Sequence, residues 1–229
     1  MARTRTAKRM TRKILRSIFV LFVALVNGIL LFRVFTAGDP ASMKTLGVDA
    51  DTVAAYERAL AEGRELEVYY QYYDEMAAPV TGTERHVYFT LTRTRFLPDA
   101  EQVQIVLRYN NAMLENLAAD YDLPAVPARD EQVFRIALAV HYADGREVLC
   151  READEVRSET KLNYNYRQCF FNDLTIDESV GEVRVLIFYG TDSDTEEAAY
   201  CSFLIYDKES HNLAYELTRQ DERALKSAR

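Results

Sequence analysis

The sequence contains no tryptophan, and only eight glycines, five prolines and three cysteines occur among its 229 residues. So few glycines leave little room for a phosphate-binding loop, and the motifs GxGxxG, GxxxxGKS/T, HExxH and GxSxG are all missing. The absence of tryptophan also removes the Cys–Trp–Cys pattern of true immunoglobulin domains. We therefore predict no catalytic residue and no organic cofactor, and we expect a protein that is not an enzyme.

Acidic residues are missing from the amino-terminal part of the chain, up to and including Arg33. Seven of the 28 Lys and Arg residues precede a hydrophobic run, and Arg33 follows it. The segment after Arg33 therefore contains 20 basic residues and all 36 acidic residues. A segment this acidic repels phosphate, and we predict that it binds no nucleic acid. The seven leading basic residues are Arg3, Arg5, Lys8, Arg9, Arg12, Lys13 and Arg16.

Residues 17–32 form an uncharged apolar run that is bracketed by Arg16 and Arg33. Both arginines can extend their charges to lipid headgroups along their aliphatic stems, so residues 14–36 are predicted to form a transmembrane helix in a lipid bilayer. The positive-inside rule places the basic tail, residues 1–13, in the cytoplasm and the rest of the chain outside. A cleaved signal peptide and a buried soluble helix are the alternatives.

Two short segments are predicted between this helix and the remainder of the chain. Residues 37–48, which include Pro40, are predicted to be a linker. Apolar residues then recur three or four positions apart and predict a helical stalk over residues 49–78, although Gly63 allows two helices instead. The stalk either self-associates as a short coiled coil or packs its apolar stripe on its own domain.

The rest of the chain alternates between apolar and polar residues, which predicts a mainly β domain over residues 83–229. Asp144 and Gly145 are typical of a tight hairpin turn, and residues 217–226 are predicted to form a short polar helix. Mostly short connections favour an antiparallel β-sandwich of about seven strands, immunoglobulin-like in outline. The predicted strands are residues 86–96, 102–109, 133–142, 146–151, 164–176, 182–189 and 200–206.

Two runs at the ends of the first two of these strands, TRTRFLP (residues 92–98) and RYN (residues 108–110), carry a family resemblance. The segment from Tyr88 to Asn110 resembles one in membrane-anchored proteins of gut Clostridia that have no assigned role. The resemblance implies a bacterial cell-envelope setting and no particular chemistry.

Two groups of charged residues are candidates for binding. Asp192, Asp194 and Glu196 alternate in a loop and could collect calcium, which prefers six to eight oxygen ligands, although the EF-hand pattern is missing. A solvated acidic loop is the alternative. Arg93 and Arg95 share one face of a predicted strand with Phe89 and could bind an anionic partner such as a cell-wall polymer. The alternative is that the pair marks the point where the strand leaves the core, or blunts an exposed strand edge.

The three cysteines, Cys150, Cys169 and Cys201, all lie in or near predicted strands. Their odd number allows at most one intramolecular disulfide, and three buried thiols are the alternative.

These observations favour a non-catalytic, membrane-anchored module that has a structural or interaction role in the cell envelope. Its partner would be an envelope protein or a cell-wall polymer. A ligand- or metal-binding sensor domain and an exported cell-wall hydrolase are the two alternatives.

Overall fold

The structure is a computed structural model of the chain and describes residues 2–36, 39–72, 89–110, 112, 115, 119, 134–162, 164–174, 176–189, 195–209 and 213–229. The chain divides into two units, Met1–Gly38 and Asp39–Arg229.

The first unit is one helix, α1 (Ala2–Thr36). Its stretch Leu15–Phe32 has 18 residues and is apolar and long enough to cross a membrane. Such a stretch spans about 27 Å as a helix. The side-chain amide of Asn27 donates to the carbonyl of Val23 at 2.9 Å, so this polar group is satisfied within its own helix.

The second unit contains ten antiparallel strands in two sheets, counted over the described residues. The six-stranded sheet has the order β10-β1-β2-β3-β7-β6, and the four-stranded sheet has the order β5-β4-β8-β9. The strands are β1 (Tyr69–Tyr72), β2 (Phe89–Leu97), β3 (Gln102–Tyr109), β4 (Phe134–Tyr142), β5 (Glu147–Glu152), β6 (Glu155–Lys161), β7 (Tyr164–Phe171), β8 (Val180–Tyr189), β9 (Cys201–Asp207) and β10 (Ala214–Tyr215). The α-helices of this unit whose bounds are described are α2 (Ala41–Lys44), α3 (Ala50–Ala61) and α4 (Arg219–Ala228).

One hydrophobic core is shared by the inner faces of both sheets. Phe134 on β4 meets Phe89 on β2 and Tyr109 on β3 edge to face, with ring centroids 4.9 Å apart in each pair. Edge-to-face aromatic pairs stabilise a core beyond the area that they bury. The apolar residues that alternate along the central strands therefore join the two sheets.

Seven described strands, β2, β3, β4, β5, β7, β8 and β9, overlap the seven predicted strands, and the carboxy-terminal helix is confirmed. The predicted strand over residues 164–176 ends at Phe171, and residues 86–88 and 133 lie outside the described residues. The predicted hairpin turn is confirmed as well, because β4 pairs with β5 around Gly145, which has a φ of +84°. Three further strands, β1, β6 and β10, were not predicted. In β6 the alternation of apolar and polar residues is nearly lost, since Val156 is its one apolar residue.

The predicted helical stalk over residues 49–78 is wrong beyond Ala61, where α3 ends, and residues 73–78 lie outside the described residues. Gly63 adopts a φ of +73°, and the Arg64 N–H donates to the carbonyl of Ala59 at 3.0 Å. This is the hydrogen-bonding pattern that ends an α-helix when the residue after its last turn adopts a left-handed conformation. Glycine adopts that conformation most readily. The chain then turns back and forms β1 against β2.

The apolar face of α3 packs on its own unit. Ala55, Tyr56 and Ala59 are buried in a second hydrophobic cluster together with Leu66 and with Leu225 of α4. The face that a coiled coil would use is therefore occupied, in agreement with the alternative in which the helix packs on its own domain.

Candidate functional site: the strap and its buried polar layer

Residues 39–49, here called the strap, cross the outer face of the six-stranded sheet. The strap contacts β2 through Arg93, and its Met43 packs on Val106 of β3 and Tyr166 of β7. Val48 reaches β6, where its carbonyl accepts from Arg157 Nη2 at 3.0 Å. The predicted linker over residues 37–48 is therefore part of the folded unit from Asp39 onward, because side chains of four strands contact it.

An ion pair fixes the first residue of the strap. Asp39 Oδ2 lies 2.6 Å from Arg93 Nε, and only 5% of the Asp39 side chain is exposed. A partly buried ion pair of this kind is screened little by salt. Arg93 therefore serves the attachment of the strap.

Arg95 lies fully buried beneath the strap. Its Nη2 donates to the carbonyls of Met43 at 2.9 Å and Lys44 at 3.1 Å, and its guanidinium lies 5.3 Å from the ring centre of Tyr70. Burial lowers the pKa of Arg95, and the neighbouring Tyr70 opposes this effect. Arg95 is therefore shielded from solvent in this conformation, and the interaction role of Arg93 and Arg95 stays a prediction.

A local bulge explains why the predicted faces of this strand were wrong. Strict alternation places Arg93 and Arg95 beside Leu91, but the register with β3 shifts between Leu91 and Arg93. The extra residue, Thr92, turns the following side chains to the opposite face. Leu91 therefore points into the shared core, whereas both arginines point toward the strap.

The buried polar side chains that bind the strap or one another, Arg95, Tyr70, Gln102, Gln104 and Asp221, are here called the polar layer. Asp221 on α4 is its central hydrogen-bond acceptor and is fully buried. It accepts hydrogen bonds from the Leu46 N–H at 2.6 Å, the Tyr70 hydroxyl at 2.7 Å and the Thr218 hydroxyl at 2.6 Å. The Thr218 hydroxyl in turn accepts from the Asp221 N–H, which completes a capping box at the start of α4. One carboxylate thus joins the strap, β1 and the carboxy-terminal helix.

Tyr70 remains a hydrogen-bond donor at neutral pH. Burial raises the pKa of Tyr70, while the nearby positive charge of Arg95 lowers it and the carboxylate of Asp221 raises it further. The chain Arg95–Tyr70–Asp221 therefore places a positive and a negative buried group on either side of a neutral phenol.

Side-chain amides hold the far end of the strap. Gln104 binds both backbone groups of Gly47, since its Oε1 accepts at 2.9 Å and its Nε2 donates at 2.8 Å. Gln102 Nε2 donates to Asp49 Oδ2 at 2.7 Å, and the other oxygen of Asp49 caps α3 by accepting from the Thr52 N–H at 2.8 Å. A Cβ atom on Gly47 would lie 2.6 Å from Gln168 Nε2 and even closer to Phe170, so only glycine fits there.

The predicted calcium ligands are placed only in part. Asp192 and Asp194 lie outside the described residues. Glu196 contacts Arg184 Nη1 at 2.9 Å and His141 Nε2 at 3.0 Å, so its carboxylate already has two partners. No group of three or more His, Cys, Asp or Glu that could bind a metal occurs among the residues that the structure describes. The calcium loop stays a prediction.

Two of the cysteines lie in the shared core. Cys169 is a free, fully buried thiol on β7, and burial raises its pKa to about 12. Cys201 on β9 is buried in the same core, whereas the side chain of Cys150 lies outside the described part. Cys169 therefore behaves as a small apolar core residue.

The sequence prediction missed the polar layer, although two signals were present. Gln102 and Gln104 alternate with apolar residues along β3, a pattern that is typical of a strand with one face toward solvent. The spacing of Thr218 and Asp221 matches a capping box, but it does not reveal that Asp221 also binds two distant elements. No family model, curated protein or solved structure matches this chain.

Proposed function

We propose that the protein is a single-pass membrane-anchored module with an extracytoplasmic β-sandwich, and that it has a structural or interaction role in the cell envelope without catalysis. The exposed apolar stretch Leu15–Phe32 supports the anchor. The seven basic residues before it support a cytoplasmic amino terminus. The core that both sheets share supports the sandwich.

The observation that carries this proposal is the strap, because it follows the apolar helix closely in the chain. Residues 33–38 alone separate Phe32 from Asp39 in the chain. Asp39 begins the strap, whose contacts reach β2, β3, β7 and β6. A load or displacement at the anchor therefore passes into the six-stranded sheet through several contacts at once.

The chemistry of the polar layer favours a structural role over catalysis. Its bonds run to the backbone of the chain itself, at Met43, Leu46 and Gly47. Buried side chains that are hydrogen-bonded to the backbone of their own chain stabilise one conformation and are shielded from a substrate.

Membrane attachment is tested by placing a charge in the apolar stretch. We expect Leu25→Arg to move the full chain out of the carbonate-resistant membrane fraction, since arginine at the centre of a span costs roughly 3 kcal/mol for insertion. Leu162→Arg is the matched control, because Leu162 is 57% exposed and lies outside the stretch. The anchor is contradicted if both variants leave the membrane equally or if neither does.

Orientation is tested with a membrane-impermeant maleimide on intact cells. Ser227→Cys, at an exposed position of α4, is expected to be labelled without lysis. Thr6→Cys in the basic tail is expected to be labelled only after lysis, and the wild type reports the background from the native cysteines. The reverse pattern would place the domain in the cytoplasm. The intact mass of the membrane-bound protein, 26.3 kDa for the whole chain, distinguishes a retained anchor from a cleaved signal peptide.

A further inference from the structure

Strand β6 forms one edge of the six-stranded sheet. It pairs with β7 on one side and is the last strand in the order of the described sheet, so its other side presents backbone N–H and C=O groups. All seven of its residues are at least partly exposed, and the side chain of Val156 is 38% exposed. Such an edge is a template for another strand.

The charges on β6 alternate in sign along one face. Glu155, Arg157, Glu159 and Lys161 occupy this face, and Val156, Ser158 and Thr160 occupy the other. Charged side chains on an edge usually discourage pairing. An alternating pattern, however, is complementary to its own reverse.

We propose that β6 is a homodimerisation strand, which pairs antiparallel with β6 of a second copy about a twofold axis at Ser158. In this register Glu155 lies opposite Lys161 of the second copy, and Arg157 lies opposite Glu159. Each pair occurs twice by symmetry, so four oppositely charged pairs form on one face. On the other face Val156 lies opposite Thr160, and the two Ser158 residues meet.

The charge pattern selects this register against its neighbours. A slip of two residues in either direction places Arg157 or Glu159 on the twofold axis opposite itself. A parallel, in-register pairing places every charge opposite an identical charge. Opposite charges directly across a strand pair stabilise it and like charges destabilise it, so the Ser158 register is favoured over these arrangements. It also has four opposite pairs, whereas a slip of four residues keeps only two.

Arg157 is held in place for such a pairing by its own chain. Its Nε donates to Glu155 Oε1 at 2.6 Å, its Nη2 donates to the Val48 carbonyl at 3.0 Å, and its guanidinium lies 4.6 Å from the ring centre of Phe170. These contacts use two of the five N–H donors of a guanidinium. An arginine side chain that is already held in one orientation loses less conformational entropy than a mobile one when it binds a carboxylate of a second copy. The pairing depends on β6 and not on the anchor or its orientation, so this inference and the proposed function can fail separately.

A disulfide trap tests the register in the full-length protein purified in detergent. Residues directly opposite in an antiparallel pair have Cα atoms about 5 Å apart, which suits a disulfide. We expect Ser158→Cys to form a covalent dimer on mild oxidation. Thr160→Cys is the matched control, because Thr160 is exposed on the same face but would lie roughly 14 Å from its equivalent in the second copy. Equal crosslinking of both variants, or of neither above the wild-type background, would overturn the proposal.

A charge exchange tests the pairs themselves by sedimentation velocity in the same detergent. Lys161→Glu and Glu155→Lys each create two like-charge pairs in their homodimers, and we expect each to raise the dimer dissociation constant at least about tenfold. A mixture of the two variants restores four opposite pairs in the heterodimer, so we expect it to dimerise like the wild type. Misfolding of either variant cannot produce this restoration. A monomeric wild type, or a mixture that is as weak as its components, contradicts the pairing.

Discussion

At the central strand β3, the two faces of the six-stranded sheet are both buried, but by different chemistry. On β3, Val103 and Ile105 point into the core that both sheets share, whereas Gln102 and Gln104 point toward the strap and bind its backbone and Asp49. All four residues are at most 1% exposed. Alternation of polar and apolar residues therefore marks two kinds of interior in this strand, rather than an interior and a surface.

The two interiors should respond differently to mutation. An apolar core loses stability in proportion to the volume that is removed, because its contacts have no direction. In the polar layer each donor needs a particular acceptor, and the loss of one partner leaves another group buried and unsatisfied. We therefore expect the most sensitive single position to lie beneath the strap and not between the sheets.

The largest effect is expected from Asp221→Ala. The change leaves the Leu46 N–H and the Tyr70 hydroxyl without their acceptor and leaves Arg95 without its nearby carboxylate, so we expect a loss of about 4 kcal/mol in the free energy of unfolding. Urea unfolding of the full chain in detergent, followed by circular dichroism, measures it. Glu222→Ala is the control, because the Glu222 side chain forms a surface pair with Lys226 at 3.2 Å, and its loss should cost about 0.5 kcal/mol or less.

Leu138→Ala probes the apolar interior and is expected to cost about 3 kcal/mol in the same assay. Leu138 is fully buried in the shared core, and the truncation leaves a cavity there. The exposed Leu162→Ala should change stability by no more than about 0.5 kcal/mol. If Leu138→Ala proves clearly more destabilising than Asp221→Ala, the comparison between the two interiors is wrong.

Gly47→Ala tests how closely the strap lies on the sheet. The added methyl group would meet Gln168 and Phe170, so we expect a loss of about 2 kcal/mol from overpacking. Gly181→Ala in β8 is the matched control, since its nearest atom, the His141 carbonyl oxygen, is an ordinary 3.4 Å away. Equal stabilities of the two variants would show that the strap can move away from β7.

Much of the fold could be predicted from the sequence, because strands that contribute to the apolar core repeat their pattern every second residue. That signal identified seven strands, and the Asp144–Gly145 turn followed from the conformational freedom of glycine. Strand β6 was not predicted because it is held to β7 by backbone hydrogen bonds, which leave no pattern in the sequence. It has too few apolar side chains to show the alternation that marks the other strands.

The candidate site could not be predicted, because its residues are distant in the chain. Leu46 and Asp221 are separated by 175 positions, and no local pattern links a strap N–H to a helix carboxylate. Arg93 and Arg95 did stand out, but the bulge at Thr92 that turns them under the strap has no sequence signal of its own. The sequence alone does not distinguish a buried arginine from an exposed one, because the difference depends on contacts with residues that are distant in the chain.

The smallest expected effect separates the two interiors by their response to alkaline pH. Burial raises the pKa of Cys169 from 9.0 to about 12, so the folded state keeps this proton while the unfolded state releases it. Its contribution to stability is therefore complete below pH 9 and is lost as pH rises toward 12. Between pH 8 and 10 we expect the wild type to lose about 1.4 kcal/mol more than Cys169→Ala, which lacks the thiol. Tyr70, whose raised pKa acts in the same direction from about pH 10 upward, is present in both proteins and cancels in the difference. Urea unfolding at each pH measures the two slopes, and identical slopes would mean that the Cys169 thiol ionises as easily in the folded core as in the unfolded chain.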